Sequence, residues 1–356
     1  MQLNYKSRRG VYLQQHKEPA LSREIRQFIN PSAADAVIGH PVGIPVDSIA
    51  PEDIIEIARL AGIVDERDGR FLYKKLLRAA YKQISIVVVD ALDDEPYLSS
   101  QLGPLLGMKE DAIMGLSAVQ RAIGASEGHI AVYKNLIDID IRIPASIEGV
   151  KLHRIGGKYP AESHISQELG LRKAFVVIGV CALIHLARAI RDGKPQTTCF
   201  VTVAGNCIGN PTNLEVSQGM TLTQVLERCG LINDPTRVII GGPMTGISVI
   251  DTDNTVISPT TRAVLAFKED ERDRRYGCIG CGQCVEVCPQ QLNPMFLYRC
   301  LTKKKYSRLK EEHAEQCADC GTCSYICPAK LPLSATISAY AQTLQKGGES
   351  DETDPA

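Results

Sequence analysis

Two cysteine runs near the C-terminus constrain this chain more than anything else in it. They are Cys278, Cys281, Cys284 and Cys288 followed by Pro289, and Cys317, Cys320, Cys323 and Cys327 followed by Pro328. Each reads C-x2-C-x2-C-x3-C-P, the spacing that wraps three thiolates around one face of an iron–sulfur cubane and turns the fourth toward a second one. The pattern predicts two [4Fe–4S] clusters with crossed ligation: one on Cys278, Cys281, Cys284 and Cys327, the other on Cys317, Cys320, Cys323 and Cys288. Structural zinc is the competing reading, but zinc sites pair two knuckles and gain nothing from a third cysteine or the proline. Gly280, Gly282 and Gly321 give the backbone room to approach the cluster sulfides.

Eight of the 13 cysteines fall in these runs, in a chain of 356 residues whose basic N-terminus has no apolar stretch behind it. That clustering favours metal in a reducing compartment over a disulfide framework, and the expectation is a cytoplasmic chain with peripheral attachment to a membrane complex left open. The longest apolar run, from Ala174 to Ala187, is interrupted by His185 and is too short to cross a bilayer. Lys plus Arg total 40 against 41 Asp plus Glu. No global field draws the chain to nucleic acid, and no basic face with aromatic platforms is visible. Cys181, Cys199, Cys207, Cys229 and Cys300 lack knuckle spacing and read as small buried hydrophobes. Lys303, Lys304, Lys305, Arg308 and Lys310 read as a solvated helix face or as a landing patch for an acidic redox partner.

Ahead of the cysteines the chain alternates helices and strands. Residues 1–45 form an irregular, proline-rich arm with one helix over Ser22–Ile29. Helices are predicted over Ala50–Leu60, Phe71–Lys82, Asp111–Ile123 and Cys181–Arg191, strands over Ile84–Val89, His129–Tyr133 and Lys173–Gly179, and a turn or short helix over Asn135–Ile137. Runs rich in β-branched residues such as Ile84–Val89 suit strands buried on both faces, and strands alternating with helices imply a doubly wound α/β layer structure over 46–195. A smaller α+β unit over 196–268 is predicted from strands Thr197–Val203 and Arg237–Ile240 around a helix Leu222–Cys229. A charged linker from Glu269 to Arg275 leads into the cysteine domain at 269–340, in which Pro294–Leu309 reads as an inserted helix. Residues 341–356 read as a disordered tail.

Several stretches fall in the order of a known family: Asp94-Glu95-Pro96-Tyr97, Gly157-Lys158-Tyr159-Pro160, the helix entry after Gly179, Val201–Gly205, Ile239-Ile240-Gly241-Gly242-Pro243-Met244-Thr245-Gly246, and both cysteine motifs. The chain resembles the C subunit of the Rnf electron-transport complex and the related PduS of microcompartments, and more distantly the NADH-binding flavoprotein subunit of respiratory complex I. The resemblance implies a Rossmann-like α/β domain of the complex I flavoprotein type, a β-grasp-like (SLBB-type) module and a C-terminal dicluster ferredoxin-like domain. It also implies FMN and NADH as ligands of the first domain, with Asp94, Glu95 and Glu162 beside them. Where the family carries a further N-terminal hammerhead domain, this chain is expected to have only the arm of 45 residues.

The residues depart from the family at two places, one of them Tyr159-Pro160-Ala161-Glu162-Ser163-His164, which keeps Glu162 but lacks the glycines expected after the Tyr-Pro. At the other, the family's glycine-rich loop, which cradles FMN and NADH phosphates, corresponds here to Ala61–Phe71, where Asp65, Glu66 and Asp68 stand with Arg67 and Arg70. Carboxylates at a phosphate position add repulsion, so neither FMN nor NADH is expected to bind tightly. Two functions follow as alternatives. One is a relay that passes single electrons through the clusters between a donor and a ferredoxin, flavoprotein or terminal reductase. The other is an NADH:acceptor oxidoreductase using FMN to feed the clusters.

Overall fold

The structure, a computed structural model, describes residues 43–134, 143–268 and 276–347. The expectations for Ser22–Ile29, Asn135–Ile137, the charged linker and the last nine residues lie outside these. The described residues divide into two compact units, one of 43–134, 143–156 and 164–268, the other of 157–163 and 276–347.

The first unit holds two five-stranded sheets. In the first sheet the order is β3 (Ser146–Ile147), β4 (Val150–Ile155), β2 (Glu127–Tyr133), β1 (Ile86–Ala91) and β5 (Phe175–Gly179). β4, β2, β1 and β5 run parallel, and only β3 is antiparallel, at the edge. Every residue of β1 is buried, as its Ile-Val-Val-Val run requires of a central parallel strand. Helices α1 (Pro51–Leu60), α2 (Leu72–Tyr81), α3 (Leu102–Gly107), α4 (Lys109–Ile123) and α5 (Val180–Asp192) pack around it. In α2 the apolar positions Leu72, Leu76 and Ala79 share one face and are buried, each leucine stabilising by about 1.5–3 kcal/mol. α4 and α5 meet at Gly115, where a Cβ would overlap the backbone of Leu183.

The second sheet has the order β7 (Thr212–Ser217), β6 (Thr198–Ala204), β10 (Ala263–Phe267), β8 (Arg237–Ile240) and β9 (Ile247–Val249). β6 and β10 are parallel, and the outer pairs are antiparallel. Its helix α6 (Leu222–Arg228) opens with a capping box in which Thr221 and Gln224 exchange side-chain and backbone hydrogen bonds. The sequence divides the chain between the two sheets at residue 195, yet both belong to one compact unit. Arg262, just before β10, reaches the first sheet's loop and donates to the Leu92 carbonyl at 3.0 Å and to Asp93 at 3.2 Å.

In the second unit each cysteine run contains one single-turn helix, α7 (Gln283–Glu286) and α10 (Thr322–Tyr325). Each is entered through a glycine of positive φ, Gly282 at 79° and Gly321 at 76°. The predicted inserted helix is two: α8 (Pro294–Thr302), capped by Asn293, and α9 (Ser307–Glu311), separated by a turn in which Lys304 takes φ 55°. The last helix, α11 (Leu333–Gly347), runs through the start of the stretch expected to be disordered, because Ile337 and Ala341 give it an apolar face to bury. Among the described residues no helix is long and apolar enough to cross a membrane.

Candidate functional site

The two cysteine runs meet around two cavities. One is lined by Cys278, Cys281, Cys284 and Cys327 and is partly open to solvent, as is the second. The other is lined by Cys288, Cys317, Cys320 and Cys323. Each cavity thus draws three thiols from one run and the fourth, the one before proline, from the other. The x3 step and the proline turn that last cysteine away from its own run, and the chain at the first run is tied across to the second by the hydrogen bond from Tyr276 N to Ala329 O at 3.1 Å. Four thiols around an apolar pocket are the donor set an iron–sulfur cubane needs, so the residues present fit the group.

The cysteines around the two cavities differ in exposure. Cys278 and Cys281 are exposed, as is Ile279 between them, whereas Cys288, Cys320 and Cys323 are buried. Sulfurs also receive donors: Gly280 N–H to Cys278 at 3.4 Å, Leu292 N–H to Cys288 at 3.4 Å and the Thr322 hydroxyl to Cys320 at 3.3 Å. Such donors tune a cluster's potential. Burial pushes the bare Cys284, Cys320 and Cys323 thiols up, so ligation there would release protons. The remaining cysteines, Cys181, Cys199, Cys207, Cys229 and Cys300, are all buried. His185 is buried against Phe200, and burial lowers it to about 4.

In the first unit the loop from Asp65 to Arg70 contradicts the picture of acids facing an incoming phosphate: Asp65, Glu66 and Asp68 are all buried. Lys75 accounts for two of them, donating to Asp65 and to the Val177 carbonyl at 2.8 Å and pairing with the Asp68 carboxylate at 3.1 Å. Although burial opposes it, the charges of Lys75 and Arg67 hold Asp65 below the usual carboxylate range. Glu66 turns to the start of α5 and accepts from Cys181 N at 3.0 Å and Ala182 N at 3.1 Å. Burial first, and then the charge of Asp65, pushes it up to about 7. Gly179 N points at Asp65 at 3.3 Å, and Val180 N donates to Gln101 at 3.2 Å.

Of the three acids assigned to a flavin or nicotinamide, Glu95 accepts from Met244 N at 3.0 Å, Thr245 N at 3.3 Å and the Thr245 hydroxyl. A Cβ on Gly242 would overlap its carboxylate, so the Gly-Gly-Pro-Met-Thr-Gly turn is shaped to it. Asp94 is buried beside it in sequence, and Glu162 is buried in the other unit. Asp93, which sequence reasoning passed over, accepts from Gln101 N at 3.0 Å and Leu102 N at 2.8 Å and pairs with Arg262; burial raises it despite that guanidinium. The missed roles of Glu66 and Gln101 had one signal in the sequence. Helix α5 follows its strand at Gly179, which offers no capping side chain, so its first amides require acceptors from elsewhere.

Comparison with known proteins gives both domain families and relatives over most of the chain. The SLBB domain family matches residues 200–248, and the 4Fe-4S dicluster domain family matches residues 277–331. The chain is 30% identical over 295 residues to the C subunit of the Na(+)-translocating ferredoxin:NAD(+) oxidoreductase complex of Acetobacterium woodii, covering 78% of this chain and 67% of that protein. It is 26% identical to the C subunit of the proton-translocating ferredoxin:NAD(+) oxidoreductase complex of Clostridium ljungdahlii, over 76% of this chain and 64% of the relative, so it spans less than two thirds of that protein. The cobalamin reductase PduS of Salmonella typhimurium is 29% identical over 69% of the chain and 59% of its own length. Among solved structures, the fold is similar to a chain of the NAD+-reducing [NiFe]-hydrogenase in the H2-reduced state, with TM-score 0.53 and 17% identity over 91% of this chain and 58% of that one.

Proposed function

The chain belongs to the family of C subunits of Rnf-type, ion-translocating oxidoreductase complexes, and from that premise we propose that it relays single electrons between a reduced donor and a partner reductase. One observation carries the reading: two cavities, each lined by four cysteines with the last exchanged between runs. Cys278, Cys281, Cys284 and Cys327 would hold one [4Fe–4S] cluster, and Cys317, Cys320, Cys323 and Cys288 the other. When bound, such clusters supply one-electron carriage at potentials set by hydrogen bonds and solvent access.

The chain's own residues set those conditions. Met295, Tyr298, Leu331 and Leu333 give the first cavity an apolar wall, while exposed Cys278 and Cys281 with Ile279 put one rim at the surface for a partner to approach. Cys320 and Cys323 are buried, which suits a cluster that exchanges electrons within the protein. The doubly wound domain and the SLBB-type module, whose sheet with a parallel centre is β-grasp-like, serve as scaffold and docking body. A ferredoxin, a flavoprotein or a terminal reductase is the class of partner, met at the periphery of a membrane complex or in a microcompartment. The experiment is an anaerobic mixing test. A reduced ferredoxin or flavoprotein should bleach the brown protein and NADH alone should not; bleaching by NADH, faster with added FMN, would favour the oxidoreductase reading instead.

A further inference from the structure

The first sheet has a topological switch point. From β1 the chain passes to β2 and β4 on one side and returns to β5 on the other. In doubly wound sheets the crevice beyond the carboxyl ends of such neighbouring strands is where a nucleotide's phosphate settles, on the amides that open the following helix. Here that helix is α5, of 13 residues, following β5 without a loop.

Its opening amides are already committed. Gly179 N is directed at Asp65, Val180 N at Gln101, and Cys181 N and Ala182 N each at one oxygen of Glu66. The Glu66 carboxylate therefore does what two oxygens of a phosphate do, at the positive end of a helix dipole. The fit is close: a Cβ at Gly179 would overlap that carboxylate. Asp65 and Asp68 are themselves anchored by Lys75 across the sheet's edge, so the loop is not poised to swing aside.

We propose that Glu66 is a built-in substitute for a phosphate, and that the switch-point crevice is closed to FMN and to dinucleotides by a part of the chain itself. The site is filled, not merely repelling. Removing the carboxylate uncovers two amides that then take an external oxyanion. This deepens the relay reading and rests on it, since a chain that binds no flavin at this place is not supplied with electrons by a flavin held there.

The test uses the full, cluster-loaded chain under anaerobic conditions, with FMN and inorganic phosphate as probes. Wild type should retain no FMN on equilibrium dialysis, and phosphate should not move its melting temperature. Glu66→Ala should melt lower by roughly 5 °C, and phosphate should recover about half of the loss in a saturable way. Glu66→Gln, which still fills the space, should melt closer to wild type and not respond to phosphate. Stoichiometric FMN on the wild type, or a Glu66→Ala protein that melts like wild type and ignores phosphate, would overturn the proposal. Should Glu66→Ala fail to fold, the wild-type FMN and phosphate arms decide alone. Iron content and reduction by ferredoxin, read on the same samples, report separately on the relay.

Discussion

Cys327 lines the same cavity as Cys284, although the two belong to different cysteine runs. The relationship is reciprocal, since Cys288 lines the cavity of Cys317, Cys320 and Cys323. Replacing Cys327 by Ala should therefore disturb the cluster on Cys278, Cys281 and Cys284 and leave the other better preserved. Electron paramagnetic resonance of the reduced variant reads this directly. Loss confined to the cluster of Cys317, Cys320 and Cys323 would mean that each run serves itself.

The junction at Glu66 predicts a dependence of stability on pH. Asp65 is held low by Lys75, the Cys181 thiol is pushed well up by burial, and the guanidinium of Arg262 is permanently charged, so Glu66 is the group that titrates there near neutrality. A carboxyl raised by folding contributes stability that is fully present below its unfolded pKa and is lost as pH rises through its folded value of about 7. Between about pH 5 and pH 8 the wild type should lose on the order of 2 kcal/mol relative to Glu66→Gln. Denaturant unfolding of both proteins across that range checks the sign, and parallel curves would show that Glu66 does not titrate in the window.

Glu95 is a structural anchor by the same kind of geometry. Glu95→Ala leaves Met244 N, Thr245 N and the Thr245 hydroxyl without this acceptor. The cost should be about 2–3 kcal/mol, with Glu95→Gln losing about half as much because its carbonyl still accepts. Thermal unfolding in the absence of any flavin measures it. Variants as stable as wild type would return Glu95 to the role of a ligand-facing acid.

Tight packing between α4 and α5 gives a further check. Gly115→Ala forces a methyl against the Leu183 backbone, which cannot yield as a side-chain tip can. Destabilisation of about 2 kcal/mol is expected, against almost none for Gly107→Ala, where a Cβ would meet no other atom.

Much of this was legible in the sequence, for identifiable reasons. β-branched runs marked β1 and β5 within two residues, because a strand buried on both faces admits little else. The spacing of the two runs pointed to the sets of cysteines that line the two cavities, because the cysteine before proline is turned away from its own run. Short edge strands such as β3 and β9 were not visible, since two or three residues carry no period. The acidic loop misled for a different reason. Net charge in a linear sequence says nothing of direction, and Asp65, Glu66 and Asp68 point inward to Lys75 and the start of α5, pairings more than a hundred residues apart in the case of Glu66 and Cys181.

The central claim is that this chain holds two [4Fe–4S] clusters on the eight cysteines of its two runs. Iron and acid-labile sulfide, counted on anaerobically purified or reconstituted protein, test it most directly. About eight of each per chain are expected, with a brown absorption that dithionite bleaches. Stoichiometric zinc with iron absent after reconstitution, or no more than about four iron and four sulfide per chain after full reconstitution, would contradict it.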